Sequence, residues 1–191
     1  MLSIFSGQTT PKPHRHFIGF PRSPALLEDA AMLHRHQARG LRWVEEQNLH
    51  LTVYFFGKWE EEALPNLKSC IGLVVKKQKA FSLHFRDLYL APKASNPRMI
   101  WARYEQKKAF VQLATALNRM FSQLQPGHQF RNKPMPHITL ARLKGWEAGA
   151  PLPAVSNEAN WKLHCDELVL WQSELSESGA VYTELGRWRL E

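Results

Sequence analysis

The tripeptide His-x-Thr occurs twice in this chain, each time inside an apolar run: Asn48-Leu49-His50-Leu51-Thr52-Val53 and Met135-Pro136-His137-Ile138-Thr139-Leu140. With nine histidines and six threonines in 191 residues, chance alone supplies about 0.3 such tripeptides. Side chains alternate across a β-strand, so residues two apart emerge on one face. Each His-Thr pair therefore points one way, while Leu49, Leu51 and Val53, and likewise Ile138 and Leu140, point the other way into a core. The chain must build two strands that are apolar behind and carry an imidazole and a hydroxyl in front.

The surrounding pattern places both strands in repeated settings. Residues 1–14 hold two prolines, a glycine and little periodicity, and read as a flexible tail. A strand over His16–Phe20 is followed by a helix that Ser23 and Pro24 start, that Leu26, Leu27, Ala30 and Leu33 make amphipathic, and that Gly40 ends. Leu49–Phe56 reads as strand, and Leu64, Leu67, Ile71 and Val74 recur at helical spacing. Phe81–Leu90 reads as one further strand, and 92–97 as a joint between two halves of the chain. The order then starts again, with a strand over Arg98–Tyr104, a helical stripe of Phe110, Leu113, Ala114, Leu117 and Phe121, and a strand over Met135–Leu143. Residues 144–160 read as loop, and Leu163–Trp171 with Ala180–Leu190 as a hairpin around 176–179. The class is α+β, with one domain expected over residues 15–191.

Composition narrows the partners. A formal charge of +8 favours a polyanion over a neutral or basic ligand, though solubility alone also explains such an excess. Cys70 and Cys165 form no C-x-x-C pair, and the opening residues lack the apolar stretch of a secretory signal. No segment is long enough to span a bilayer. A cytoplasmic protein with two free thiols and no membrane partner is expected.

Two imidazoles and two hydroxyls facing one cleft suit in-line attack at a phosphodiester. One neutral imidazole takes a proton from water, the other, protonated, gives one to the leaving oxygen, and each threonine hydroxyl donates to a non-bridging oxygen. This chemistry calls for no metal and no cofactor. Zinc is the rival, since His14-x-His16 and His34-x-His36 also occur. However, the first lies in a tail entry and the second on a helix, where residues two apart diverge. His84, His128 and His164 have no evident partner. The ordinary alternative for each strand histidine, a satisfied structural residue, weakens because the motif is duplicated.

From about Arg15 to its end, the chain resembles the RNA 2′,3′-cyclic phosphodiesterases historically called 2′-5′ RNA ligases, within the two-histidine phosphoesterase superfamily. The likeness is carried by Arg42-Trp43-Val44 ahead of the first motif, Phe55-Phe56-Gly57 behind it, and Ile100-Trp101-Ala102. It continues through Pro136-His137-Ile138-Thr139-Leu140-Ala141-Arg142, Leu168-Val169-Leu170-Trp171-Gln172-Ser173 and Tyr182-Thr183-Glu184-Leu185.

The resemblance implies a bilobal α+β fold with a pseudo-twofold, in which two antiparallel sheets face a central cleft and helices lie outside. It implies hydrolysis of RNA 2′,3′-cyclic phosphate ends to 2′-phosphates, with 2′-5′ ligation as a minor reverse reaction. His50 becomes the proton donor, His137 the proton acceptor, and Arg142 a phosphate ligand. Strict alternation sends Arg142 to the face opposite Thr139, so the role requires the strand to bulge or end first. Phe17 is a candidate for stacking on a base, with a place in the core as its ordinary alternative. Two other functions share these residues: hydrolysis of small cyclic nucleotides or 2′-5′ oligonucleotides, and RNA binding without turnover.

Overall fold

The computed structural model describes residues 14–24, 26, 33, 35, 37–126, 134–146, 161–176 and 179–191. The expected N-terminal tail lies outside them apart from His14, as do His34, His36, His128 and most of the 144–160 loop. Of the expected first helix, Pro24, Leu26 and Leu33 are helical, and the Leu26 amide donates to Ser23 Oγ at 3.3 Å.

Ten strands are described: β1 (Arg15–Pro21), β2 (Leu41–Trp43), β3 (His50–Lys58), β4 (Phe81–Leu83), β5 (Phe85–Ala91), β6 (Met99–Tyr104), β7 (His137–Leu143), β8 (Leu163–Cys165), β9 (Glu167–Ser176) and β10 (Gly179–Arg189). Two α-helices are described along their whole length, α1 (Leu64–Val75) and α2 (Lys108–Leu124). Proline in its first turn suits the start of α1, where no intrahelical donor is needed. Gln125 is extended ahead of Pro126 and stops α2.

The main sheet runs β10-β9-β1-β3-β7-β6-β5, with β2 beside β7; β4 and β8 form a separate pair. Its two halves meet between β3 and β7 through the antiparallel pair Leu51 and Ile138. Both of these side chains are fully buried. Behind them, Leu67, Ile71 and Val75 of α1 and Phe110, Leu113, Leu117 and Phe121 of α2 close one core over the face opposite the His-Thr pairs. Burial of a Leu or Phe side chain stabilises by roughly 1.5–3 kcal/mol. The apolar side of each motif thus anchors the strand, and its polar side is left in front.

Three expectations are corrected. Residues 92–97 are not a joint between lobes but the tip of the β5–β6 hairpin, whose strands lie together in the β7 half of the sheet. The strand expected over Phe81–Leu90 is two: His84 separates β4, which pairs with β8, from β5, which pairs with β6. On α1 the buried stripe ends on Val75 rather than Val74. Among the described residues no helix is long and apolar enough to cross a membrane.

Candidate active site

Because Leu51 is opposite Ile138 in an antiparallel pair, the register sets His50 across from Thr139 and Thr52 across from His137, all four on the face away from the core. The two motifs are thereby brought to one place, related by a local twofold through the Leu51–Ile138 pair. Thr52 and Thr139 are partly buried, as are both histidines.

The imidazoles are held alike. His50 Nδ1 lies 2.7 Å from Asn48 O, and His137 Nδ1 lies 2.8 Å from Met135 O. A carbonyl only accepts, so in each ring Nδ1–H is the donor, and Nε2 is the nitrogen free to exchange protons. The rings then differ in their walls. His50 sits among Phe17, Trp171 and Tyr182, with centroid separations of 4.6, 5.6 and 5.2 Å. His137 stacks on Trp101 at 3.8 Å. Burial pulls both pKa values below the usual histidine value, that of His50 to about 4, with repulsion from His137 adding to the effect on His50.

Beside His137, Arg103 donates two hydrogen bonds to Asp87, at 2.7 and 2.6 Å, and lies 4.0 Å from the Tyr89 ring centroid. Its positive charge is matched locally, and the pairing holds the Asp87 carboxyl below its ordinary pKa.

Both motif-bearing strands then bulge at the same point. Opposite β1, Thr52 pairs with Gly19 and Tyr54 with Ile18, leaving Val53 as the extra residue. Opposite β6, Thr139 pairs with Trp101 and Ala141 with Ile100, leaving Leu140 extra. The first seven residues of β3 and the whole of β7 share one burial order, in which the fourth and fifth residues are both buried and the sixth is exposed. A bulge reverses the alternation, so the fifth residue after each histidine returns to the cleft face. In β7 that residue is Arg142, and the bulge supplies the condition its expected position required. In β3 it is Phe55.

Phe55 is 64% exposed, whereas Phe17 is 3% exposed and packed against Phe55, Trp171, Tyr182 and His50. Sequence reasoning gave no role to Phe55, nor to Trp101, Trp171 and Tyr182, which served there only as marks of a likeness. The spacing of Phe55 from His50, equal to that of Arg142 from His137, was the available signal. Of the zinc rival's residues, His16 is buried in β1 and His14 Nδ1 lies 3.6 Å from Glu174. His164 Nδ1 lies 3.1 Å from Ser82 Oγ in the small sheet.

A family model of the 2′-5′ RNA ligase superfamily matches residues 23–177. The chain belongs to the 2′-5′ RNA ligase superfamily. Curated relatives in it named RNA 2′,3′-cyclic phosphodiesterase include one from Thermus thermophilus, 33% identical over 158 residues, which spans 80% of this chain and 77% of the relative. Another, from Methanothermobacter thermautotrophicus, is 26% identical over 154 residues, 78% of this chain and 83% of the relative. Among solved structures, Escherichia coli LigT complexed with 3′-AMP superposes with a TM-score of 0.75 at 26% identity, covering 94% of this chain and 99% of that one. A structure from Thermus thermophilus gives 0.74 at 29% identity, covering 92% and 97%. The expected α+β two-histidine fold is the fold found.

Proposed function

We propose that this superfamily member hydrolyses RNA 2′,3′-cyclic phosphate ends to 2′-phosphates by acid–base exchange between His50 and His137. The observation that carries the reading is the pair of back-anchored imidazoles, each with Nε2 free, set around the Leu51–Ile138 pair with a threonine opposite each. The names of the relatives supply the substrate class. His137 Nε2 takes a proton from water as its oxygen bonds to phosphorus, the P–O3′ bond breaks, and His50 Nε2–H gives its proton to O3′. Thr52 and Thr139 donate to the non-bridging oxygens as charge gathers there. Arg142 adds a guanidinium suited to phosphate, and Phe55, rather than the buried Phe17, is the ring that a base meets. Run backwards with a 5′-hydroxyl in place of water, the same steps form a 2′-5′ linkage. The free thiols of Cys70 and Cys165 fit the reducing cytoplasm.

Product analysis on an oligonucleotide ending in a 2′,3′-cyclic phosphate tests this directly. A 2′-phosphate with a 3′-hydroxyl is expected, at a rate that a metal chelator leaves unchanged. A 3′-phosphate product, or loss of turnover with chelator, overturns the reading.

The pH profile follows from the walls around the rings. Turnover needs one imidazole charged and one neutral, and kcat/KM reports their pKa values in the free enzyme. Both are lowered, His50 to about 4, so the singly protonated site is most populated on the acid side of the ordinary histidine value. Raising the pH beyond that removes the remaining proton, and kcat/KM falls. The expected optimum of kcat/KM for the cyclic phosphate therefore lies below about 6.5; an optimum above about 7 contradicts the desolvated site.

A further inference from the structure

Arg42 and Arg142 are direct cross-strand partners, Arg42 on β2 and Arg142 on β7. Residues directly opposite in an antiparallel pair share a face. On the other face, Leu41 and Trp43 of β2 pack with Ala141 and Leu143 of β7, which leaves both arginines on the cleft face, and both are exposed.

They also stand at a definite place along the cleft. From Trp101, opposite Thr139, to Met99, opposite Arg142, β6 advances two residues, about 7 Å along the sheet. That step runs past Thr139, which faces His50, so the arginine pair lies beyond His50 rather than beyond His137. The far wall is β10: a Cβ on Gly179 would sit 3.4 Å from Arg42 Nη2. Tyr182, which meets the His50 ring edge-on, is close enough to feel the Arg142 charge. Two guanidiniums from one half of the sheet thus reach toward the C-terminal hairpin of the other.

We infer that Arg42, beside Arg142, holds the phosphodiester on the 5′ side of the terminal nucleotide, so that the site is built for a polynucleotide end rather than a mononucleotide. This rests on the proposed hydrolysis of cyclic phosphates. If His50 protonates O3′, the ribose that owns this oxygen lies on the His50 side, and the next anion along the chain is its 5′ phosphodiester. The planar, permanently charged guanidinium suits two-point contact with phosphate oxygens.

The test compares a nucleoside 2′,3′-cyclic phosphate with a dinucleotide bearing the same cyclic end, using wild type, Arg42→Gln and Arg42→Lys, with folding checked by thermal unfolding. Wild type is expected to favour the dinucleotide. Arg42→Gln should lower kcat/KM for the dinucleotide on the order of tenfold more than for the mononucleotide, with Arg42→Lys in between. A dinucleotide whose internal phosphate is replaced by a neutral methylphosphonate should lose the wild-type preference and lose little more on Arg42→Gln. Equal losses on all three substrates, or no loss on any, overturn the inference while leaving the hydrolysis itself standing. If wild type opens neither cyclic phosphate, the proposed function falls and the inference with it.

Discussion

His50→Ala and His137→Ala are each expected to lower kcat/KM for a cyclic-phosphate oligonucleotide by about 10³-fold or more, and the double variant to lose little beyond either single one. In the proposed reaction the two rings act on one phosphorus as donor and acceptor, so removing either leaves the other without a partner in the same step. The fold should tolerate both changes. The side chains that anchor these strands are Leu51 and Ile138 on the opposite face, and each histidine's own hydrogen bond is to a carbonyl two residues earlier in the chain. Unfolding midpoints close to wild type, with activity lost, are the result to look for; activity within tenfold of wild type in both single variants sinks the assignment. The roles can be separated with a linear phosphodiester whose leaving group is a nitrophenol, which departs without needing a proton. On that substrate His50→Ala should recover much of its rate and His137→Ala should not. The opposite pattern would exchange the two roles while keeping the site.

How far the amino-acid sequence announces this site depends on whether the information is local. Two-residue alternation is local, and it sufficed to put His50 with Thr52 and His137 with Thr139 in front of an apolar backing. It failed at residue 142, where the extra residue Leu140 changes the phase of β7. A bulge is defined by what the partner strand skips, and no single strand's text reveals that. The same holds for the first-half equivalent, Phe55: its spacing from His50 matches that of Arg142 from His137, but its face depends on Val53 being extra opposite β1.

Partnership across the sheet was less legible still. The alternating run from Phe81 to Leu90 is broken at His84 because its two ends join different sheets. The hairpin of β9 and β10 closes around His50, more than a hundred residues earlier, with Trp171 and Tyr182. These aromatic walls desolvate the ring and lower its pKa, so the protonation behaviour of the first motif is set by the last part of the chain. Hydrophobic patterning specifies that such strands exist and which side is buried, and long-range packing decides which neighbour each one meets.

Gly19→Ala should damage both the fold and the site. Gly19 pairs with Thr52 across β1 and β3, beside the bulge at Val53. A Cβ there would lie 2.2 Å from Leu51 O and 3.0 Å from both Leu51 C and Thr52 Cα. All three are backbone atoms of the strand that carries the first motif, so no rotamer change relieves the clash, and β1 and β3 must separate where the bulge needs them close. A loss of about 3 kcal/mol or more is expected, which for a domain of this size lowers the unfolding midpoint by roughly 6–12 °C. Because the displaced strand also positions Thr52 and His50, kcat/KM measured well below the midpoint should fall by about tenfold or more. Gly57→Ala is the informative contrast. Gly57 has φ +74° and nothing within 4 Å of the place a methyl group would take, so it bears only the left-handed backbone penalty of about 1–2 kcal/mol and lies beyond His50 and Thr52 of β3. If Gly57→Ala proves as harmful as Gly19→Ala to both stability and turnover, close approach of β1 is not what holds the first motif in register.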